Sequence, residues 1–252
     1  MFEAIKGKKV LITGATGGMG EAMAKLFALN GAHLGLHYLS NREKAEELKR
    51  EVERGGRKAE VLGMDLLKKD EREKLIPTFL QKLGGLDVLI NNAGAVYDHA
   101  YFSELEEEVF EKTFALNVEA PFYLSGEAFE YMKGYGGGRI INISSVNVKY
   151  GGSARSLHYC AAKAALESLT IGFAREGAQY NILVNAIRCG YIDTPMRTRI
   201  KGYKEEDAEK RVNLIPLRRM GKPIDVARMA LFLASEAGDF ITKEIFTVAG
   251  GD

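Results

Sequence analysis

The sequence predicts an α/β fold, a doubly wound parallel sheet with helices on both faces. Two observations lead to this prediction. Short apolar segments of strand length alternate strictly with longer amphipathic segments of helical period. No composition shift, internal repeat or Pro-rich linker divides the 252 residues, which are enough for one large core. We therefore expect a single domain over residues 1–252.

The predicted strands are short apolar runs that end at glycine, polar or charged residues. The first of them stops at Gly14, and the last stops before the pair Gly250 and Gly251. In chain order the strands are Lys9–Thr13, His33–Tyr38, Lys58–Leu62, Leu86–Ile90, Arg139–Ser144, Ile182–Arg188 and Glu244–Val248. Each is followed by a predicted helix or a polar loop, except the last.

The predicted helices are recognised by their period and their ends. In chain order they are Gly20–Asn30, Arg42–Arg54, Asp70–Leu83, Glu106–Met132, Leu157–Gln179 and Pro223–Ser235. Gly31 is a C-terminal cap for the first helix, and Gly55 closes the second. Pro121 predicts a kink in the fourth helix, whereas Pro223 suits the first turn of the last one. The stretch 190–217 is polar, charged and weakly periodic, which favours a substrate lid.

Charge and cysteine content narrow the class of protein. The net charge is +1, so nothing favours a nucleic acid or an anionic membrane as partner. Cys160 and Cys189 have neither metal-ligand spacing nor a disulfide framework, and no metal site is expected. The first apolar run is too short for a signal peptide or a membrane span. We expect a cytoplasmic protein.

A glycine-rich turn joins the first strand to the first helix. Its glycines would let backbone amides approach a pyrophosphate at the positive end of that helix. The residues expected to bind a dinucleotide there are Gly14, Ala15, Thr16, Gly17, Gly18, Met19 and Gly20. The alternative is an ordinary tight turn.

The end of the second strand bears on the choice of dinucleotide. It has no acid to grip the ribose hydroxyls, and Ser40 and Arg42 could accept a 2′-phosphate. This favours NADP(H), with NAD(H) as the alternative. The other interpretation of Arg42 is that it is only the first residue of a solvent-exposed helix. Asp65, after the third strand, would either hydrogen-bond the adenine amino group or cap a helix.

Tyr159 and Lys163 lie four residues apart in a predicted helix, with Ser145 fourteen residues upstream. On one helical face, an ammonium beside a phenol would lower the phenol's pKa by up to about three units. The serine hydroxyl could hold a carbonyl oxygen beside that phenol. These three residues predict general acid–base chemistry, and a plain helix-surface pair is the alternative.

Together these motifs resemble the short-chain dehydrogenase/reductase family over nearly the full length of the chain. Further segments carry the resemblance: Asn91–Gly94, Asn117, Asn185, Gly190, Thr194, Leu214–Pro223 and Val248–Gly251. The family implies a Rossmann-like sheet and hydride transfer between nicotinamide and a carbonyl or hydroxyl group. The resemblance implies that Tyr159 is the proton donor, that Lys163 tunes it and holds the ribose, and that Ser145 binds the oxygen. It also implies that Asn117 anchors a relay water.

The resemblance extends the set of expected cofactor contacts and suggests a substrate. The added contacts are Tyr38, Arg42, Asp65, Leu66, Asn92, Ala93, Gly94, Tyr159, Lys163, Ile192 and Thr194. Within the family the chain most resembles 3-oxoacyl-[acyl-carrier-protein] reductases, which implies an acyl thioester substrate on an acidic carrier and a homotetramer. Arg197, Arg199, Lys201 and Lys204 are either a basic rim for that carrier or a solvated face. A sugar or alcohol dehydrogenase and a non-catalytic regulator are the alternatives.

The chain departs from the family pattern at two positions near the cofactor. Cys189 stands where the family usually has proline, so a thiol is expected near the nicotinamide. Gly17 stands where many NADP-dependent relatives carry a basic residue, which weakens the preference for NADP(H).

Overall fold

The computed structural model describes residues 5–195 and 205–252, and these contain seven strands. The strands are β1 (Lys9–Ile12), β2 (His33–Tyr38), β3 (Ala59–Gly63), β4 (Val88–Asn91), β5 (Gly138–Ser145), β6 (Ile182–Cys189) and β7 (Ile245–Val248). All pair in parallel, in the order β3-β2-β1-β4-β5-β6-β7. The predicted doubly wound parallel sheet is confirmed, and every predicted strand is present within a few residues.

Helices connect the strands and cover the sheet. They are α1 (Gly18–Leu29), α2 (Arg42–Arg54), α3 (Lys69–Leu83), α4 (Glu107–Phe114), α5 (Ala120–Gly134), α6 (Asn147–Tyr150), α7 (Leu157–Gly177), α8 (Glu205–Leu214) and α9 (Pro223–Ala234). Helix α1 begins two residues earlier than predicted, so Gly18 and Met19 belong to its first turn. Gly31 follows it with φ +97°, as a glycine just beyond a helix end commonly does.

The alternating side chains of β1 divide the core into two layers. Val10 and Ile12 pack with residues of α1, α2 and α9 on one face of the sheet. Leu11 packs on the other face with residues of α3, α5 and α7, including Phe79. Helix α3 packs closely on the sheet there. A Cβ on Gly35 would lie only 2.4 Å from the Phe79 ring, so glycine makes room for that ring. Both faces are thus covered, as continuous apolar strands require.

The long helix predicted over residues 106–132 is interrupted. Helix α4 ends at Phe114, a wide π-helical turn runs over Ala115–Glu119, and α5 follows. Pro121, in the first turn of α5, has no N–H to continue the normal hydrogen-bond ladder. The Asn117 side chain also donates to the Thr113 carbonyl, 2.9 Å away. The predicted kink is therefore a full widened turn, and it carries Asn117.

Two helices were not expected from the sequence. Helix α6 follows β5 directly, and α8 occupies part of the stretch predicted as a polar lid. Between β6 and α8, Ile192 pairs with Gly221 across an isolated parallel bridge. The four basic residues discussed for a carrier-protein rim, within 197–204, lie outside the described residues.

The strand order changes direction at β1 and β4. The chain moves from β1 outward to β3, then returns to β4 on the other side of β1. Connecting loops above the carboxyl ends of these two strands diverge and leave a crevice, which is where open parallel sheets bind ligands.

Candidate active site

The glycine-rich turn between β1 and α1 packs closely on the segment that follows β4. A Cβ on Gly20 would lie 2.2 Å from the Gly14 carbonyl oxygen, and a Cβ on Gly14 would lie 3.1 Å from the Ala93 Cα. Gly14 also has φ +64°. Gly17 caps α1 without a side-chain hydrogen bond, so no side chain of the cap residue satisfies the first amides of the helix. Such a helix start attracts anionic groups.

Thr13 fixes the segment after β4 against this turn. Its hydroxyl accepts hydrogen bonds from the amides of Asn92 and Ala93, both at 2.9 Å. The Asn92 side chain donates to the carbonyls of Thr13 and Gly14, at 2.8 and 3.1 Å. Its Oδ1 is buried with no hydrogen-bond partner among the described residues. The backbone of residues 92–94 is thereby held at the edge of the crevice, where the sequence predicts contact with a dinucleotide.

The predicted adenosine side of the crevice lies around the ends of β2 and β3. Tyr38 lies against Gly63, where an added Cβ would be 2.6 Å from the phenol oxygen. Arg42 begins α2 with its guanidinium largely exposed, 3.8 Å from Glu46. Leu66 is buried in the core, so any contact it makes with a cofactor must come from its backbone.

Asp65 does not cap a helix. Helix α3 begins at Lys69, its cap residue is Lys68, and that cap has no side-chain hydrogen bond. Asp65 Oδ1 instead accepts from the amide of Leu67 at 3.0 Å, a local turn of the kind aspartate favours. The helix-cap alternative is therefore wrong, and contact with the adenine stays a prediction.

His37 is a contact that the sequence did not reveal. Its Nδ1 accepts from the Gly14 amide at 3.0 Å, and its Nε2 lies 2.9 Å from the Met64 carbonyl. Burial lowers the pKa of His37 to about 4, so the ring is neutral at pH 7 and Nε2–H donates to Met64. The ring ties the glycine-rich turn to the end of β3. Only the three-dimensional pairing of β2 with β1 brings these groups together.

The three predicted catalytic residues meet at the carboxyl end of the sheet. Ser145 ends β5, and Tyr159 and Lys163 project from α7. Lys163 is 3% exposed; its Nζ donates to the Ile143 carbonyl at 2.9 Å and lies 5.7 Å from the centre of the Tyr159 ring. The Ser145 hydroxyl is near enough to the Tyr159 phenol to affect its pKa, and Ser145 Oγ accepts from the Asn147 amide at 3.2 Å.

Asn117 reaches the same site from the widened turn. Its Nδ2 donates to the Ala95 carbonyl at 3.0 Å, while its Oδ1 is buried with no partner among the described residues. A Cβ on Gly94 would lie 2.8 Å from that Oδ1 and 3.2 Å from Lys163 Nζ. Glycine at this position therefore leaves space between an unpaired acceptor and an ammonium, which suits the relay water that the sequence predicts.

The pKa of Tyr159 differs from the sequence prediction. Burial raises it above its usual value near 10, the nearby Cys189 thiol raises it further, and only the Ser145 hydroxyl lowers it. The expected lowering by Lys163 is wrong for this structure, because burial penalises the phenolate and the ammonium is bonded to a backbone carbonyl. Tyr159 is therefore a protonated acid at neutral pH.

Burial acts on the neighbouring groups as well. It lowers the pKa of Lys163 to about 8, with the Cys189 side chain opposing this. It raises the pKa of Cys189 to about 12, so Cys189 is a neutral thiol at pH 7. The thiol expected near the nicotinamide does line the same cavity as Tyr159 and Lys163.

A cavity of about 650 Å³ connects these groups. Of the predicted site residues, the following line it: Met19, Asn92, Gly94, Ser145, Tyr159, Lys163, Ile192 and Thr194. The Thr194 methyl group lies 3.0 Å from where a Gly18 Cβ would be, which joins the loop after β6 to the start of α1. Asn185 lies apart, since its side chain is bonded to the Ile241 carbonyl and the Glu244 amide near β7.

One wall of the cavity is polar and was missed in the sequence. Arg211 of α8 pairs with the Asp252 carboxylate, which also accepts from the Tyr150 hydroxyl at 3.0 Å. His99 and Ser153 line the cavity too. These residues are scattered between positions 99 and 252, and no local motif marks them. Their proximity depends on how α6, α8 and the last residues fold over the sheet.

The chain is similar over nearly its whole length to a known protein family. A family model described as enoyl-(acyl carrier protein) reductase matches residues 14–252. The chain belongs to the short-chain dehydrogenase/reductase family, whose members are NAD(P)(H)-dependent oxidoreductases acting on CH–OH or C=O groups.

Two similar enzymes with different substrates and one similar structure with a bound cofactor are compared with this chain. It is 35% identical to the 3-oxoacyl-[acyl-carrier-protein] reductase FabG of Thermotoga maritima, over 98% of each chain. It is 34% identical to the 2-dehydro-3-deoxy-D-gluconate 5-dehydrogenase of Formosa agariphila, over 98% of this chain and 93% of that one. A blue fluorescent protein from a metagenomic library, solved with NADPH, superposes with a TM-score of 0.90 at 31% identity and 98% coverage of both chains.

The described residues contain no helix with the length and apolar character needed to cross a membrane.

Removing the buried charge of Lys163 is expected to change how stability depends on pH. The pKa of Lys163 is lowered to about 8 in the folded protein from 10.5, so between these values the unfolded chain binds more protons. Stability of the parent should therefore rise with pH across this window, relative to Lys163→Met, by about 2–3 kcal/mol. Urea unfolding at pH 7, 8, 9 and 10 measures it. Lys69→Met, at an exposed lysine of α3, is the control, and its difference in unfolding free energy from the parent should not depend on pH. A difference between the parent and Lys163→Met that is also independent of pH would contradict the prediction.

Proposed function

We propose that the protein is an NADP(H)-dependent reductase of carbonyl compounds whose first candidate substrate is a 3-oxoacyl thioester, carried on an acyl carrier protein. The observation that carries the proposal is the meeting of Ser145, Tyr159 and Lys163 in one cavity with Met19, the residue of the glycine-rich turn that lines it. The similarity to the Thermotoga reductase and to an NADPH-bound structure supports the choice of substrate and cofactor.

The residues of the site fit a dinucleotide. The glycines at 14 and 20 leave backbone space, α1 starts without a side-chain cap, and Asn92 has an unpaired buried acceptor. Residues 14–20 would hold the pyrophosphate, and Arg42 with Ser40 would hold a 2′-phosphate. Thr194 and the Ile192 backbone would hold the carboxamide. When bound, the cofactor supplies the hydride.

The protein's own groups handle the substrate oxygen and its proton. The Ser145 hydroxyl donates to the carbonyl oxygen, and Tyr159, kept protonated by burial, transfers its proton to the same oxygen as charge develops there. Lys163, whose own pKa is lowered to about 8, is the stronger acid and returns a proton to the phenolate that remains. Asn117, with its unpaired Oδ1, anchors a water that connects Lys163 to solvent.

Arg42 tests the cofactor preference. Arg42→Met is expected to raise the KM for NADPH about 10-fold or more, because a charged hydrogen bond to phosphate contributes about 1.5–3 kcal/mol. The KM for NADH should not change. Arg54→Met, at the exposed far end of the same helix, is the matched control. An equal effect of Arg42→Met on both cofactors would rule out the 2′-phosphate contact.

A specific observation favours a second candidate, a sugar or other hydroxyl-bearing substrate. The cavity wall of Tyr150, Arg211 and Asp252 offers both donors and acceptors to hydroxyl groups. The similarity to the gluconate-derivative dehydrogenase points the same way. Initial rates with NADPH and NADH on acetoacetyl-CoA, hydroxyketones and sugars separate the two candidates. Turnover of the thioester supports the first, and turnover confined to hydroxylated substrates, weakened by Tyr150→Phe, supports the second.

Binding of NADPH without turnover of any member of this panel would instead favour the regulator. A cytoplasmic location and the lid role of residues 190–217 remain predictions.

A homotetramer is also proposed. Phe110 of α4, Phe122 and Tyr123 of α5 and Ile171 of α7 each expose more than a third of their surface. The rings of Phe122 and Phe173 lie 5.9 Å apart, so α5 and α7 contribute to one aromatic surface. Exposed apolar surface of this kind commonly marks a subunit interface. Light scattering coupled to size exclusion measures the assembly, and a monomer at micromolar concentration would contradict it.

A further inference from the structure

An ion pair between the buried carboxylate of Glu167 and the partly exposed guanidinium of Arg188 lies directly beside the proposed catalytic residues. Glu167 is on α7, one turn after Lys163 and two turns after Tyr159, and is 4% exposed. Its Oε1 accepts from Ser144 Oγ and from Arg188 Nε, both at 2.7 Å, and its Oε2 accepts from Arg188 Nη2 at 2.6 Å. The carboxylate therefore receives three short hydrogen bonds, two of them in the forked geometry of an arginine–carboxylate pair.

The partners of Glu167 occupy the ends of two neighbouring strands. Ser144 of β5 and Arg188 of β6 are paired across the sheet. Each directly precedes a residue of the catalytic cavity, Ser145 and Cys189. One carboxylate thus fastens α7 to both strands at the level of the reacting groups.

Stability alone is a weak reason for such a pair. Two charges removed from water lose hydration that their mutual attraction often does not repay, and apolar replacements of similar volume are frequently neutral or stabilising. Apolar packing does not fix the orientation of the groups in contact. A bidentate arginine–carboxylate pair fixes both the distance and the orientation of its two side chains. The pair lies one helical turn from Lys163. At this place the orientation of α7 sets the positions of the proposed catalytic side chains.

We propose that Glu167 and Arg188 are positioning residues for the catalytic pair, holding α7 on β5 and β6 so that Tyr159 meets Ser145 and Lys163 stays buried against the Ile143 carbonyl. The proposal depends on the function proposed above, since it takes Tyr159 and Lys163 as the catalytic groups. It adds two residues that touch none of the reacting atoms and act through the placement of a helix.

The double variant Glu167→Leu/Arg188→Met tests this directly. It removes one charge of each sign, so the net charge near the site is unchanged, and it replaces the pair with apolar side chains. Urea unfolding should give a stability at least equal to that of the parent. The kcat should nevertheless fall about 10–100-fold, as expected for a misplaced catalytic group, while the KM for NADPH stays within about 3-fold.

Titration of Lys163 provides a readout that needs no substrate. Protein with ¹³C-labelled lysine side chains shows each lysine as a function of pH, and Lys163→Met assigns the signal. The ionisable groups near Lys163 lie on several elements. They are Tyr159, Cys160 and Glu167 on α7, Cys189 and Arg188 on β6, and His99, Tyr150, Tyr191, Arg211 and Asp252 around the cavity; β5 and the widened turn contribute the neutral side chains of Ser144, Ser145 and Asn117. Burial is the main cause of the lowered pKa of Lys163, and neither Glu167 nor Arg188 is among its causes, so a changed midpoint reports changed burial. We expect the midpoint to rise from about 8 toward 10.5 by at least about half a unit.

A second ion pair, on the neighbouring strand β5, is the matched control. Arg139, near the start of β5, pairs with Asp239 at 2.6 Å, at the opposite end of the sheet from the cavity. The variant Arg139→Met/Asp239→Leu should leave both kcat and the Lys163 midpoint unchanged. Arg188→Lys is the milder test, since it keeps the charge and loses the fork; it should lower kcat several-fold.

The outcomes separate this proposal from the proposed function. A stable double variant with parental kcat and a parental Lys163 midpoint would overturn the positioning role. A double variant that does not fold leaves the decision to Arg188→Lys, where an unchanged kcat and midpoint would overturn it equally. Failure of every form to turn over any substrate would contradict the proposed function, and the Lys163 midpoint would still decide whether the pair places α7.

Discussion

Replacing Tyr159 with phenylalanine is expected to lower kcat by about 100- to 10,000-fold, the range in which a positioned acid contributes to catalysis. The ring and its packing remain, and only the hydroxyl is lost. Burial keeps this phenol protonated at neutral pH, so it is available to transfer a proton when a carbonyl is reduced. Steady-state rates with NADPH and the best substrate of the panel measure the effect.

Binding of NADPH should survive this change, which separates lost chemistry from lost folding. Fluorescence titration should give a Kd within about 3-fold of the parent. An interaction made only in the transition state changes kcat without changing the binding of the ground state. Tyr131→Phe, at a tyrosine of α5 that stacks on Tyr135, is the control and should retain full activity. A Tyr159→Phe enzyme with more than a tenth of the parental kcat would remove Tyr159 from its role as the acid.

Gly20→Ala is expected to damage cofactor binding and stability together. The new methyl group would lie 2.2 Å from the Gly14 oxygen and 2.8 Å from the Ala15 Cα, and both are backbone atoms. Overpacking of this kind costs about 1–3 kcal/mol, and here the displaced backbone is the expected pyrophosphate site. We expect a loss of stability in that range and at least about a 10-fold increase in the Kd for NADPH.

Gly126→Ala is the matched control for this substitution. It lies inside α5, where an added Cβ meets nothing within 4 Å, so alanine should stabilise the helix by about 0.5–1 kcal/mol. Thermal unfolding and fluorescence titration of both variants make the comparison. Wild-type NADPH affinity in a folded Gly20→Ala protein would show that the turn tolerates displacement and does not hold the cofactor.

Sequence reasoning succeeded where the signal is local and regular. The seven strands were found because each is a short apolar run between polar ends, and α2 was found at its observed bounds. It failed where local preference yields to a particular contact. Pro121 predicts a kink in this helix but not a full wide turn, because that turn also involves the Asn117 side chain bonding to the Thr113 carbonyl. Helix α8 was missed because its stretch is polar and only weakly periodic.

The sequence by itself determined the class of fold, the glycine-rich turn and the identity of the three catalytic candidates, because strand and helix periodicity and short motifs are properties of neighbouring residues. Only the tertiary structure decided the electrostatics of the site. Burial depends on what packs around a group, so the pKa of Tyr159 is raised where four-residue spacing predicted it to fall. It also decided which distant residues meet: His37 with Gly14, Arg211 with Asp252, and Glu167 with Arg188. These contacts are made between separate strands and helices, and no spacing along the chain encodes them.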